Sequence, residues 1–191
     1  MSDRDLNSHD FPHVYASLGI DVNKLGVVMT DVEPIPISEL VTKPEPDLYY
    51  AANKTHFWIR GAVGETGAHV TILYGLLQHA TKLKAEIHEV LRDWQMDDVT
   101  IEKIGVFQSP MADEEYECIV AHLKVTPELL DGHSRLEFLP HVNTFVKYRP
   151  HVTLAYVKKG AAKRWVRELN NALMGKKLAV TQLINLGTEH K

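Results

Sequence analysis

At 191 residues, 45% hydrophobic and 24% charged, the chain lies in the ordinary globular range, long enough for one well-buried core or two small lobes. A formal net charge of −4, with no run of lysine and arginine, argues against gripping duplex nucleic acid or long RNA by phosphate neutralisation. A small anionic ligand held by a few local groups is compatible with it. No apolar run approaches the roughly 18 residues of a membrane span. The polar start MSDRDLNSHD is unlike a signal peptide, so residence in the cytoplasm is the expectation. The single cysteine, Cys118 in YECIVAHLKV, allows no intrachain disulfide or multi-cysteine zinc site and reads as a plain buried thiol.

Residues 1–52 read as an N-terminal extension: a polar start, a strand from Leu25 to Val32, then PIPISELVTKPEPDLYY. There Pro34, Pro36, Pro44 and Pro46 forbid a long helix and favour an extended arm or lid. Residues 53–191 read as the main domain. It opens with a strand from Thr55 to Val63, broken by Gly61, Gly64 and Gly67, before an apolar strand beginning at His69. From Thr81 to Trp94, residues Leu83, Ile87, Val90, Leu91 and Trp94 recur at helical spacing. Strands are expected over Val99–Phe107 and Tyr116–Val125, joined by QSPMADEE, and Pro127 opens a short helix stopped by Gly132. A strand from Phe145 to Val157 carries Pro150 just before His151. Trp165, Val166, Leu169 and Leu173 then define a helix ended by Gly175, and a strand follows from Leu178 to Leu186.

One device occurs twice in this order. His69-Val70-Thr71 and His151-Val152-Thr153 each lie in an apolar strand, with a tyrosine five residues after the histidine, Tyr74 and Tyr156. A two-residue period puts the imidazole and the hydroxyl on one face and the valine on the other; strict alternation would put the tyrosine on the valine face. Each copy is followed by a helix and a strand at similar spacing, the mark of a duplicated unit. Two such units build two α+β lobes, each a small sheet covered by helices. A third match, His79-Ala80-Thr81, lies at a helix start, where Thr81 serves as a cap, and carries no functional reading.

If the two strands face each other, His69, Thr71, His151 and Thr153 converge. With an unperturbed pKa of about 6.5, one neutral imidazole takes a proton while a charged one gives a proton. The hydroxyls donate to non-bridging phosphate oxygens. In-line displacement at phosphorus needs both proton transfers, and two opposed imidazoles supply them without a metal. None of the other histidines shows ligand spacing, so neither a metal nor a cofactor is expected. His122 sits on an alternating strand that can turn it toward the same cleft. Trp58, Phe107 and Tyr148 are candidate stacking platforms for bases, with core packing as the alternative for each. Arg60, Lys147 and Arg149 are candidate phosphate contacts, with a solvated rim as the alternative.

This pattern resembles the two-histidine (2H) phosphoesterase superfamily, whose hallmark is a pair of H-x-T/S motifs in hydrophobic strands, one per lobe. The resemblance runs from about Thr55 to Leu186 and implies a bilobal α+β fold, with antiparallel sheets lining a central cleft and helices outside. It implies His69 and His151 as acid and base and Thr71 and Thr153 as phosphate ligands. Known members include RNA 2′,3′-cyclic phosphodiesterases, 2′-5′ RNA ligase-like proteins and phage anti-CBASS nucleases that destroy cyclic oligonucleotide messengers. The expected activity is thus a metal-independent phosphodiesterase on a ribonucleotide, favouring a small cyclic oligonucleotide and acting in the host cytoplasm if phage-encoded. The alternatives are a 2′,3′-cyclic phosphate hydrolase and a non-catalytic nucleotide sponge. Neither a duplex nor a membrane is an expected partner.

Overall fold

The computed structural model describes residues 13–20, 35, 37–39, 69–77, 80–107, 115–142 and 147–189. The strands anticipated at Leu25–Val32 and Thr55–Val63, and the 52/53 boundary, lie outside these residues. Six strands and three helices follow in the order β1 (His13–Ile20), β2 (His69–Leu76), α1 (Ala80–Val90), β3 (Asp98–Phe107), β4 (Tyr116–Leu123), α2 (Pro127–Leu136), β5 (His151–Lys158), α3 (Ala162–Leu173) and β6 (Lys177–Glu189). All neighbours pair antiparallel, and the strands close into a ring, β1-β2-β5-β4-β3-β6. This is the α+β architecture expected from the sequence.

The ring has two halves. β6, β1 and β2 are paired along most of their length, as are β5, β4 and β3. The halves join where β2 meets β5 through the pair Val70↔Val152, and where the first residues of β6 pair with Asp98–Thr100. The valine face of the strands forms the core: Val70, Ile72, Val152 and Leu154 are fully buried with Leu83 and Ile87 of α1, Leu129 and Leu136 of α2, and Trp165, Leu169 and Leu173 of α3. Because the helices pack on this face, the histidine face turns to the inside of the ring.

The amphipathic spacing of α1 and α3 is realised as expected, since a helix needs one apolar stripe to dock on a sheet. α3 starts without a side-chain cap of its own; the Glu117 carboxylate of β4 accepts hydrogen bonds from the Gly160 and Ala162 amides at 3.0 Å each. α2 runs through Gly132 rather than ending there. A Cβ at that position would lie 2.5 Å from the Trp94 indole, whose Nε1 donates to the Glu128 carbonyl at 2.8 Å. Gly132 is therefore a packing glycine, not a stop.

Two features of the N-terminal residues are not announced by spacing or composition. HVYASLGI forms β1, inserted between β2 and β6, with Ala16, Leu18 and Ile20 in the core. Within the Pro-rich stretch, Ile35 is buried and the 3-10 turn Ile37–Glu39 is pinned by Trp165 Nε1 donating to Glu39 Oε2 at 2.6 Å.

The outer edge of β3 is closed by a side chain. Asn170 of α3 accepts from the Ile104 amide at 2.7 Å and donates to the Ile104 carbonyl at 3.0 Å, in the manner of a neighbouring strand. Substituting Asn170→Ala leaves both Ile104 groups without that partner, so chemical denaturation should show a loss of about 1–3 kcal/mol.

Candidate active site

The two H-x-T strands are paired with each other. Counting one residue outward from Val70↔Val152 in an antiparallel ladder sets His69 beside Thr153 and Thr71 beside His151. Each imidazole thus neighbours the other strand's hydroxyl, around a local twofold that passes between the valines. His69, Thr71, His151 and Thr153 are all half-buried, whereas Val70 and Val152 are fully buried. The four groups named from the sequence share one face.

Each strand also carries a bulge at the same place. Ser17 pairs with Thr71 but Ala16 with Leu73, leaving Ile72 extra; Val120 pairs with Thr153 but Ile119 with Ala155, leaving Leu154 extra. An extra residue shifts the alternation by one. Consecutive burial at Ile72-Leu73 and at Leu154-Ala155 records that shift. It overturns the expectation for Tyr74 and Tyr156: past the bulge both fall on the histidine face. There Tyr156 meets Tyr116 edge to face, with ring centroids 5.5 Å apart.

Three neighbours define the surroundings of His151. Its Nδ1 lies 2.9 Å from the Arg149 carbonyl, a geometry in which the neutral ring donates from Nδ1 and keeps its lone pair on Nε2. The Phe107 ring packs edge to face against it, centroids 4.4 Å apart. His122 of β4 is its direct cross-strand partner and touches the same Phe107 at 5.4 Å. The alternating pattern of β4 had left this orientation open for His122. Burial depresses the His151 pKa below the ordinary value; the Arg149 carbonyl opposes this, and His122 and His69 add to the depression. His122 is depressed as well, first by burial and then by Lys103 and Arg149, with Glu102 opposing.

On the other strand, Gly19 of β1 stands opposite His69 and brings no side chain over it. Ser17, opposite Thr71, is 1% exposed.

The remaining candidates separate. Trp58 and Arg60 lie outside the described residues. Phe107 lies against His151, as described. Arg149 is exposed, as is Lys147. Tyr148 works behind the strand: its hydroxyl donates to the Thr71 carbonyl at 3.1 Å and its ring stacks on His133, centroids 4.1 Å apart. His133 Nδ1 lies 2.7 Å from the carbonyl of Ile72, the bulge residue. Burial raises the Tyr148 pKa. Tyr148 and His133 together hold the backbone that presents Thr71. Cys118 is half-buried on the histidine face rather than sealed in the core.

A family model described as the 2′-5′ RNA ligase superfamily matches residues 44–186. The chain belongs to the 2′-5′ RNA ligase superfamily, the two-histidine phosphoesterases. The superfamily is generally enzymatic, of phosphoesterase or ligase type, and the two H-x-T motifs of this chain fall on β2 and β5. No curated protein matches the chain. Among the described residues, no helix is long and apolar enough to cross a membrane, and no group of three or more His, Cys, Asp or Glu side chains could hold a metal ion.

Both depressed histidines have a folded pKa below the unfolded value of about 6.5, so the unfolded chain binds protons first as the pH falls. Stability should therefore be flat above that value and decline below it. Proton NMR titration is expected to place the His122 and His151 midpoints below about 6.5, with the urea midpoint falling as the pH drops through the same range.

Proposed function

We propose that this superfamily member is a metal-independent phosphodiesterase that cleaves a ribonucleotide phosphodiester, with a small cyclic oligonucleotide as its favoured substrate. The observation that carries this reading is the antiparallel pairing of the two H-x-T strands through Val70 and Val152. A phosphate above that pair has an imidazole on either side of the scissile bond and a hydroxyl for each non-bridging oxygen.

His151 acts as the base, because its Nδ1 contact with the Arg149 carbonyl leaves the Nε2 lone pair free on the neutral ring, and burial disfavours the charged form. Its Nε2 takes the proton of the ribose 2′-hydroxyl as O2′ bonds to phosphorus. The P–O5′ bond breaks on the far side, and His69, entering charged, gives its proton to O5′. The products are a 2′,3′-cyclic phosphate end and a 5′-hydroxyl. Thr71 and Thr153 donate to the oxygens on which negative charge grows, an interaction that strengthens toward the transition state. Run in reverse with exchanged roles, the same groups join a 5′-hydroxyl to a cyclic phosphate. With water in place of the 2′-hydroxyl they open a 2′,3′-cyclic phosphate.

A nucleotide substrate is supported by the aromatic groups on the histidine face. Phe107, Tyr74, Tyr116 and Tyr156 share the side occupied by the imidazoles, where bases stack on rings. The negative net charge and the absence of a basic run favour a compact ligand over a long one, as in the phage anti-CBASS nucleases.

The test is incubation with cyclic dinucleotides, cyclic trinucleotides and 2′,3′-cyclic phosphate ends, with products resolved by mass. Linear products from the cyclic oligonucleotides are expected, at rates indifferent to EDTA. Intact ligand recovered after denaturation would mean a nucleotide sponge, and turnover confined to cyclic phosphate ends would mean a hydrolase of those ends. His69→Ala and His151→Ala should each lower kcat by about 10²–10⁴, and the double variant should lose far less than the product of the two. A 2′-deoxy analogue should not be cut; equal cutting would exclude attack by the internal hydroxyl.

A further inference from the structure

A row of cationic groups crosses three adjacent strands beside His151. Lys103 on β3 pairs directly with His122 on β4, and His122 pairs directly with His151 on β5. Paired positions in an antiparallel sheet project to the same side, so Lys103, His122 and His151 stand in line on the histidine face. Arg149 lies two residues before His151, close enough for its charge to be felt at the His122 ring, as is that of Lys103.

The row is built around His122. Gly105, next on the same face of β3, leaves the space the imidazole occupies: a Cβ there would lie 2.8 Å from His122 Nε2. The Phe107 ring meets the imidazole edge to face, centroids 5.4 Å apart. The acid felt at His122 is Glu102, the extra residue of a β3 bulge that separates Ile101↔Leu123 from Lys103↔His122. Several of the chain's basic groups are engaged elsewhere, Arg92 with Glu89, Arg135 with Asp131, Arg164 with Glu168 and Lys177 with Asp98. Among the described residues, Lys103 and Arg149 form neither an ion pair nor a side-chain hydrogen bond, and both are exposed. Two cations without a partner among the described residues, flanking a half-buried imidazole, suit an anion carrying more than one oxygen.

We propose that Lys103, His122 and Arg149 form a second phosphate subsite, which holds the phosphodiester adjoining the one being cleaved. This rests on the proposed function for the position of the cleaved phosphate between the two H-x-T strands. The subsite lies about one to two strand spacings from His151, each roughly 4.7–4.9 Å, a step comparable with that between successive phosphates of an extended nucleotide chain. It names the substrate class: a nucleotide with at least two phosphodiesters, linear or cyclic, in preference to a mononucleoside cyclic phosphate. His122 donates to the second phosphate when charged, and an incoming phosphate favours that charged form.

Calorimetric binding of adenosine 3′,5′-bisphosphate and of adenosine 5′-monophosphate tests this without requiring turnover. The bisphosphate should bind about tenfold or more tightly, in line with added charge-assisted contacts, and its advantage should shrink as salt is raised. In Lys103→Ala/Arg149→Ala the two ligands should bind alike. His122→Gln should narrow the advantage. Equal binding of the two ligands by the wild-type protein, or an advantage that survives the double substitution, would overturn the subsite. The catalytic reading fails separately: if no ribonucleotide is turned over while the bisphosphate advantage and its loss on substitution are both observed, the subsite stands and the phosphodiesterase does not.

Discussion

The site depends on one backbone contact between strands far apart in sequence, Val70 against Val152. Two apolar residues of no chemical interest set the register in which two histidines and two threonines meet. Because strand side chains alternate, slipping this pairing by one residue would send every polar group on one strand into the helix-packed layer. The full burial of both valines, and of Ile72 and Leu154 nearby, opposes such a slip by placing apolar area on the side that the helices cover. Core packing and chemistry are thus opposite faces of the same two strands.

The duplicated bulge extends this logic. In both halves the extra residue comes directly after the threonine, so the polar pair and the aromatic residue beyond it end on one side, although simple alternation would divide them. The strand that carries Thr71 is held from behind by the stacked pair Tyr148 and His133, bonded to consecutive carbonyls. The strand that carries His151 is flanked instead by Phe107 and His122. Similar halves therefore have different supports. Under the proposed mechanism, this difference in support suits His151 to act as base and His69 as acid.

Much of this was legible in the sequence because it rests on local period. The H-x-T repeats, the stripes of α1 and α3, and the strands β3, β4 and β6 all announce themselves through spacing. Features that depend on a distant partner did not. β1 mixes Ser17 and Gly19 with its apolar residues and makes sense as a strand once β2 and β6 flank it. Gly132 resembles a helix stop until Trp94 occupies the space beside it. Tyr148 has the composition of a base-stacking residue, but its ring and hydroxyl are committed to His133 and Thr71. A bulge is invisible to a two-residue period by definition, so the positions of Tyr74 and Tyr156 could not be read from alternation.

The central claim is that a single phosphate fits between His69 and His151, with Thr71 and Thr153 on its free oxygens. A crystal structure of the protein with a 2′-deoxy cyclic dinucleotide, which binds but lacks the attacking hydroxyl, tests it most directly. One phosphate is expected within hydrogen-bond reach of Nε2 of both histidines and of both threonine hydroxyls. A phosphate contacting one imidazole alone, or bound away from the Val70–Val152 pair, would contradict it.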